Sequence, residues 1–112
     1  MCIEVAGTLL KDHGYNIEVL DLRSLNPLDE ESVIQTVKKT GKVLVVHEDK
    51  AFGGFGGEIV SLITDKAFEF LDGPVRRLGS TFTPVGFNRI LEKAILPDTE
   101  KIKSAAIELL KY

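Results

Sequence analysis

The chain has 112 residues, which is enough for one domain, and its mixed charge and net charge of −3 leave no basic surplus for binding nucleic acid. One cysteine, Cys2, excludes an internal disulfide and a cysteine-based zinc cluster. The sequence shows no signal-peptide pattern and no apolar run of about 18 residues, so we expect no membrane span and a reducing compartment, either the cytoplasm or an organelle matrix.

Residues 1–13 carry apolar side chains at helical spacing, and Gly14 predicts the end of that helix. The chain thus opens inside a helix, with no capping residue and no strand ahead of it, although a βαβ layout would place a strand there. We therefore expect residues 1–112 to be a fragment of a longer polypeptide whose upstream part contributes the first strand.

Residues 17–22 read as a strand, and residues 23–28 as a loop because Pro27 disfavours helical geometry at the residue before it. Asp29 is a good N-cap for a helix that runs to Thr40, and Gly41 predicts its end. The apolar run 43–46 shows no alternation, which is typical of a parallel strand covered on both faces.

Polar side chains and then glycines follow this central strand. His47, Glu48 and Asp49 stand at its carboxyl end, where ligands and partners of open α/β sheets are usually met. A sharp turn into a helix beginning at Glu58 is predicted by four glycines, Gly53, Gly54, Gly56 and Gly57. That helix is expected to bury one face, formed by Ile59, Ile63, Ala67 and Phe70.

The last third of the chain predicts one more strand and two more helices. Arg76 and Arg77 lie in a strand over 75–78, so this strand either forms a sheet edge or pairs with carboxylates at an interface. Residues 79–86 read as irregular and 87–96 as a short helix or turn. The final helix is capped by Asp98 and has the clearest apolar periodicity, at Ile102, Ala105, Ala106 and Leu109.

The glycine cluster does not match a phosphate-binding loop. It lacks the Lys-Ser/Thr of a P-loop, and Ile59 stands where a dinucleotide fingerprint needs its third glycine. Glu58 would also compete with an anion for the start of the helix. Close backbone packing, or the seating of a neighbouring chain, is the favoured use of these glycines.

Other candidate catalytic residues are not arranged for chemistry. His47 and Glu48 are adjacent on a strand, so their side chains point to opposite faces. His13 reads as a solvated or capping residue, and Asp21 with Arg23 as a structural ion pair. From its residues alone, the chain reads as an α/β domain without an active site of its own.

An ordered set of motifs then resembles a known family. The motifs are Asp21-Leu-Arg-Ser-Leu-Asn-Pro-Leu-Asp29, Val45-Val-His-Glu48, Gly53-Gly-Phe-Gly-Gly-Glu-Ile59, Leu71-Asp-Gly-Pro-Val75, Thr83-Pro84, Leu91-Glu92 and Leu96-Pro97. Across nearly the whole chain they resemble the C-terminal, transketolase-like domain of the β subunit of thiamine-diphosphate-dependent 2-oxo acid dehydrogenases, the E1 components. The Val-His-Glu and Gly-Gly-Phe-Gly forms look more like branched-chain or acetoin-type enzymes than pyruvate-specific ones.

The resemblance implies a three-layer α/β/α fold with a mostly parallel sheet, whose first strand lies upstream of residue 1. It places thiamine diphosphate and Mg²⁺ elsewhere in the parent enzyme, so no catalytic, cofactor-binding or metal residue is expected in this domain. The partners that it implies are E1 α and β subunits in an oligomeric parent enzyme, and the small basic binding domain of the E2 acyltransferase.

Two surfaces follow for this chain. The expected subunit interface comprises the polar strand end and the turn: His47, Glu48, Phe52, Gly53, Gly54, Phe55, Gly56 and Gly57. The expected E2 docking surface is the last helix with Tyr112. Two alternatives stay open, namely the C-terminal domain of a 1-deoxyxylulose-5-phosphate synthase or transketolase, and a freestanding module that binds an anion at the glycine turn.

Overall fold

The structure, a computed structural model, describes residues 1–81 and 89–112. Its helices and strands are α1 Cys2–His13, α2 Glu30–Thr40, β1 Leu44–Lys50, α3 Gly56–Ala67, a 3₁₀ turn Phe68–Phe70, β2 Arg76–Ser80, α4 Arg89–Ile95 and α5 Thr99–Leu110. None of the described helices combines the length and apolarity needed to cross a membrane.

The fold has three layers, as predicted. β1 and β2 pair in parallel, with Leu44 opposite Arg76 and Val46 opposite Leu78. One face of this pair packs through Val45 and its neighbours against the buried side chains of α2 and α3. The other face packs through Val46 and Leu78 against α1 and α5. Alternate side chains of β1 therefore enter two separate apolar clusters, which is how a strand between two helical layers is held.

The predicted helix ends are confirmed. Gly14 and Gly41 adopt the left-handed conformation, each with φ 73°, and end α1 and α2. The Asp29 side chain accepts a hydrogen bond from the backbone N–H of Ser32 at 3.1 Å, and Asp98 accepts one from Lys101 at 2.8 Å. Local chemistry thus fixes where three of the helices begin or end.

The predicted strand over residues 17–22 is wrong. A strand is maintained by hydrogen bonds to a neighbour, and the described strands β1 and β2 pair only with each other. Ile17 and Leu22 still pack on the two apolar clusters, while Val19 and Leu20 are exposed. The segment therefore packs on the core through its apolar side chains but forms no strand hydrogen bonds. Among the described residues, the edge of β1 away from β2 has no partner strand.

The second strand and the third helix differ in extent from their predictions. β2 runs from Arg76 to Ser80, so Gly79 belongs to the strand and not to an irregular segment. Arg76 and Arg77 are exposed on it, which fits the edge-strand interpretation. α3 begins at Gly56, two residues before the predicted start.

The predicted buried face of α3 is confirmed at Ile59, Ile63 and Ala67 but not at Phe70, which is exposed. Phe70 lies in the 3₁₀ turn, whose tighter winding moves its side chain off the helical stripe. The ammonium group of Lys38 lies 5.0 Å from the centroid of the Phe70 ring.

Of the short helix or turn predicted over residues 87–96, residues 89–95 form the helix α4. The Lys101 ammonium of α5 donates hydrogen bonds to the carbonyls of Lys93, Ala94 and Leu96, which holds the end of α4 against α5. The predictions for the irregular segment beyond Thr81 and for the Thr83-Pro84 motif fall on residues 82–88, outside the described residues.

Candidate functional site

The glycine turn, residues 51–57, connects β1 to α3 and is built by close backbone contacts. Ala51 donates its backbone N–H to the Ser80 carbonyl at 3.0 Å, which holds the start of the turn against β2. Gly53 has φ 73°, a conformation that favours glycine. A Cβ at Gly54 would overlap with the Lys50 carbonyl oxygen. Gly53 is therefore needed for its backbone conformation and Gly54 for close packing, which is one of the uses that the sequence favoured.

The His47 side chain lies beneath this turn. A Cβ on Gly56 would overlap with His47 Nε2, and a Cβ on Gly79 would lie 2.8 Å from His47 Cε1. Both ring nitrogens are buried and have no hydrogen-bond partner among the described residues. The imidazole thus supports the turn from inside, between glycines of α3 and β2, and its ring nitrogens are not presented to a neighbouring chain.

The turn presents two aromatic side chains at its surface. Phe52 is 71% exposed and Phe55 is 38% exposed, and Glu48 on β1 is also exposed. Exposed aromatic side chains on a rigid support are typical anchors of protein interfaces. The predicted interface residues therefore divide into an inner support, with His47 and Gly56, and an outer surface, with Phe52, Phe55 and Glu48.

Phe55 also contributes to a surface groove of about 460 Å³ between the loop before α2 and the α3 helix. Leu25 and Leu28 line it on the loop side and Leu62 on the helix side. Sequence reasoning missed this contribution, although two leucines in a proline-containing loop were a usable signal.

Carboxylates surround the groove. Glu30, Glu58 and Asp65 all line it. Lys66 pairs with Glu30 at 2.7 Å, and this hydrogen bond, with the attraction of the carboxylate, raises the pKa of Lys66. Since one of three carboxylates is paired, the groove keeps an acidic edge that suits a partner with basic side chains.

Tyr112 lies at the opposite end of the sheet. Its Cδ1 would be 3.1 Å from a Cβ built on Gly73, which precedes β2, and Lys42 before β1 donates from Nζ to the Leu110 carbonyl at 3.2 Å. The seven residues of β1 separate the two ends by about 20 Å at the usual rise of a strand. Tyr112 is 71% exposed. The structure therefore does not bring Tyr112 and the glycine turn together.

The remaining polar candidates have local structural roles. Asp21 accepts a hydrogen bond from the backbone N–H of Arg23 at 3.1 Å, so it stabilises a turn in which Arg23 has φ 55°. The His13 ring stacks on Tyr15 with centroids 5.8 Å apart. Within residues 1–81 and 89–112, no group of three or more His, Cys, Asp and Glu side chains is placed to hold a metal ion.

Together, the two helical layers, the parallel strand pair and the aromatic glycine turn define an α/β/α domain whose distinctive surface is suited to contact with another polypeptide. The family profile described as "Transketolase, C-terminal domain" matches residues 1–102. The chain belongs to the transketolase C-terminal domain family, which confirms the fold that the resemblance implied.

Three curated relatives illustrate the similarity. The chain is 38% identical over 105 residues to the acetoin:2,6-dichlorophenolindophenol oxidoreductase subunit beta of Bacillus subtilis, covering 94% of this chain and 31% of the relative. It is 45% identical over 96 residues to the pyruvate dehydrogenase E1 component subunit beta of Gracilaria tenuistipitata var. liui, covering 86% and 30%. The mitochondrial subunit beta of Saccharomyces cerevisiae is 38% identical over 109 residues, covering 96% and 30%.

A solved structure agrees with these relatives. A chain described as "Split gene transketolase, inactive beta4 tetramer" superposes with a TM-score of 0.76 and 26% identity, over 97% of this chain and 33% of that one. The chain thus spans about a third of the length of the proteins that it matches. The resemblance to E1 β subunits is confirmed.

Proposed function

We propose that this chain is the assembly and partner-docking domain of the β subunit of a 2-oxo acid dehydrogenase E1 component. The parent enzyme would decarboxylate a 2-oxo acid oxidatively and pass the acyl group to lipoyl-E2. The observation that carries the proposal is the glycine turn, where Phe52 and Phe55 are exposed on a backbone that His47 supports from beneath. Two exposed aromatic rings on a rigid turn would be poorly placed in water and well placed in a neighbouring subunit.

Thiamine diphosphate and Mg²⁺ would serve the parent enzyme at residues outside this domain. The start of α3 is the one place in the glycine turn where a diphosphate could meet helix N–H groups. Glu58 occupies the first turn of α3, and the Gly57 and Glu58 N–H groups already donate to the carbonyls of Gly54 and Phe55. The residues present therefore do not fit the diphosphate, and the domain would act by contact with polypeptides.

The substrate class of the proposed parent is a 2-oxo acid. The relatives are named for pyruvate and for acetoin. The Val46-His47-Glu48 and Gly-Gly-Phe-Gly forms add branched-chain 2-oxo acids as candidates. Acetoin is a hydroxy ketone and not a 2-oxo acid, so we propose that pyruvate or a branched-chain 2-oxo acid is the substrate, and acetoin is the alternative that the experiment below compares with them.

The test is enzymatic. The tagged chain, expressed in cells of its source organism, is expected to co-purify with an E1 α subunit, and the eluate is expected to reduce 2,6-dichlorophenolindophenol. Pyruvate, branched-chain 2-oxo acids and acetoin are supplied separately; reduction should require a 2-oxo acid and should stop when thiamine diphosphate is removed. Transketolase activity is measured on the same eluate, because the solved structural relative is described as a transketolase. Transketolase activity without dye reduction would contradict the proposal and favour that alternative.

We further propose that Tyr112 and α5 form the docking surface for the basic binding domain of E2. The support is the exposure of the Tyr112 ring at the end of the sheet away from the glycine turn, which leaves this end accessible when the turn is covered. Tyr112→Ala is expected to weaken binding of that E2 domain by about tenfold, as measured by calorimetry. Phe52→Ala, at the other end of the sheet, serves as the control and should leave this affinity unchanged; equal affinity for the Tyr112→Ala chain would remove the proposal.

A further inference from the structure

Helix α1 presents an exposed face that the proposed function does not use. Its buried residues Val5 and Leu9 point into the core. On the other side Ile3 is 77% exposed and Leu10 is 53% exposed. Because successive residues of an α-helix are turned by about 100°, Ile3 and Leu10 lie on the same side of α1, two turns apart and away from the buried stripe. The pair adds exposed apolar surface to one side of α1.

Gly7 lies in the middle of this exposed face. It is exposed, and a Cβ built on it would meet no heavy atom within 4 Å. A glycine there lowers the stability of the helix, since glycine costs about 1 kcal/mol relative to alanine inside a helix. It also allows the backbone of another helix to approach closely. Two charged residues, Glu4 and Lys11, are also exposed, and they lie on the other side of Gly7 from Ile3 and Leu10.

We propose that this face is an isologous contact with a second copy of the chain, in which the two α1 helices cross antiparallel at Gly7. A two-fold axis at Gly7, perpendicular to the helix, places Ile3 against Leu10 of the partner subunit. The same axis places Glu4 against Lys11 of the partner subunit. Each contact occurs twice, so apolar side chains meet apolar side chains and opposite charges meet across the axis.

The charged residues favour a second copy of the chain as the partner, and they favour an antiparallel arrangement of the two α1 helices. The two helix dipoles oppose each other in the antiparallel arrangement, which is favourable. A parallel two-fold pairing would instead turn the Ile3 side of one helix onto the Glu4 side of the other and bury charge against apolar side chains. Two turns of helix bury less than the roughly 1,000 Å² of a stable interface. The contact is therefore a weak and reversible one.

The test uses two charge-reversal variants of the whole chain. Sedimentation equilibrium of the wild type should show a reversible dimer that weakens as salt is raised. Glu4→Lys alone and Lys11→Glu alone each create two like-charge contacts and should weaken the dimer by about tenfold or more. Mixed together, the two variants restore both opposite-charge contacts and should dimerise as well as the wild type.

The control is Glu31→Lys, the same charge reversal in the first turn of α2. It should dimerise like the wild type and should not rescue Lys11→Glu on mixing. Circular dichroism checks that every variant is folded. A wild-type chain that stays monomeric at the highest concentration reached would overturn the proposal, and so would two variants whose mixture dimerises no better than either one alone.

Discussion

Replacing Gly56 by alanine is expected to lower the free energy of unfolding by about 2 kcal/mol, and Tm by roughly 8 °C. The new Cβ would overlap with Nε2 of the His47 ring. That ring has little room to move away, because Gly54 and Gly79 lie against its Cε1. The loss would exceed the gain in helix propensity that alanine normally brings to a helix. Thermal and urea unfolding measure the change.

The same substitution should be harmless once the ring is absent. In a chain that already carries His47→Ala, the three atoms nearest to the new Cβ are absent, so Gly56→Ala should leave stability unchanged or raise it slightly. The change of sign between the two backgrounds is specific to a contact between Gly56 and His47. A purely local effect on the start of α3 would give the same loss in both.

Gly57→Ala is the matched control for this pair. It changes the neighbouring glycine of the same helix, but its Cβ would meet only the end of the Arg77 side chain, at 3.0 Å, and that guanidinium can move aside. Its Tm should therefore stay close to that of the wild type. A Gly56→Ala chain as stable as the Gly57→Ala chain would show that His47 does not fill the space beneath the turn.

The second large effect is expected on assembly. Phe52→Ala and Phe55→Ala should each weaken association with the E1 subunits of the proposed parent enzyme by about 2 kcal/mol, or roughly thirtyfold in Kd. Both side chains are exposed, so their loss should leave the circular dichroism of the domain intact. Affinity is measured with the E1 α subunit and the remainder of the β subunit of the same enzyme.

Phe68→Ala separates this effect from a general loss of exposed aromatic area. Phe68 is 70% exposed, like Phe52, but it lies in the 3₁₀ turn at the end of the sheet away from the glycine turn. Its removal should not change assembly. Equal affinities for the Phe52→Ala, Phe55→Ala and Phe68→Ala chains would place the subunit interface elsewhere.

The sequence was informative where structure is decided by neighbouring residues. Asp29 and Asp98 cap their helices, and Gly14 and Gly41 end theirs, because each of these interactions spans only a few positions of the chain. The two-layer burial of β1 was also predictable, since the run 43–46 is apolar on both faces. The glycines of the turn indicated close packing for the same local reason.

Features that depend on distant partners were predicted less well. Residues 17–22 have the composition of a strand, but composition cannot supply the neighbour that makes a ladder. Gly79 meets His47 across the sheet, and nothing near Gly79 in sequence announces that contact. Leu25 and Phe55 line one groove only because the loop before α2 folds beside α3. At the site, the sequence placed His47 and Gly56 in the same predicted interface as Phe52 and Phe55, and it did not predict that the His47 ring packs beneath the turn.

The central claim is that these residues act by joining polypeptides, and sedimentation velocity of the wild-type chain tests it most directly. The chain is mixed with the E1 α subunit and the remainder of the β subunit, and thiamine diphosphate is titrated in parallel onto the chain alone. We predict that the chain sediments with the larger assembly and shows no saturable binding of thiamine diphosphate by itself. A chain that sediments alone in the mixture, or that binds the cofactor saturably without partners, would contradict the account.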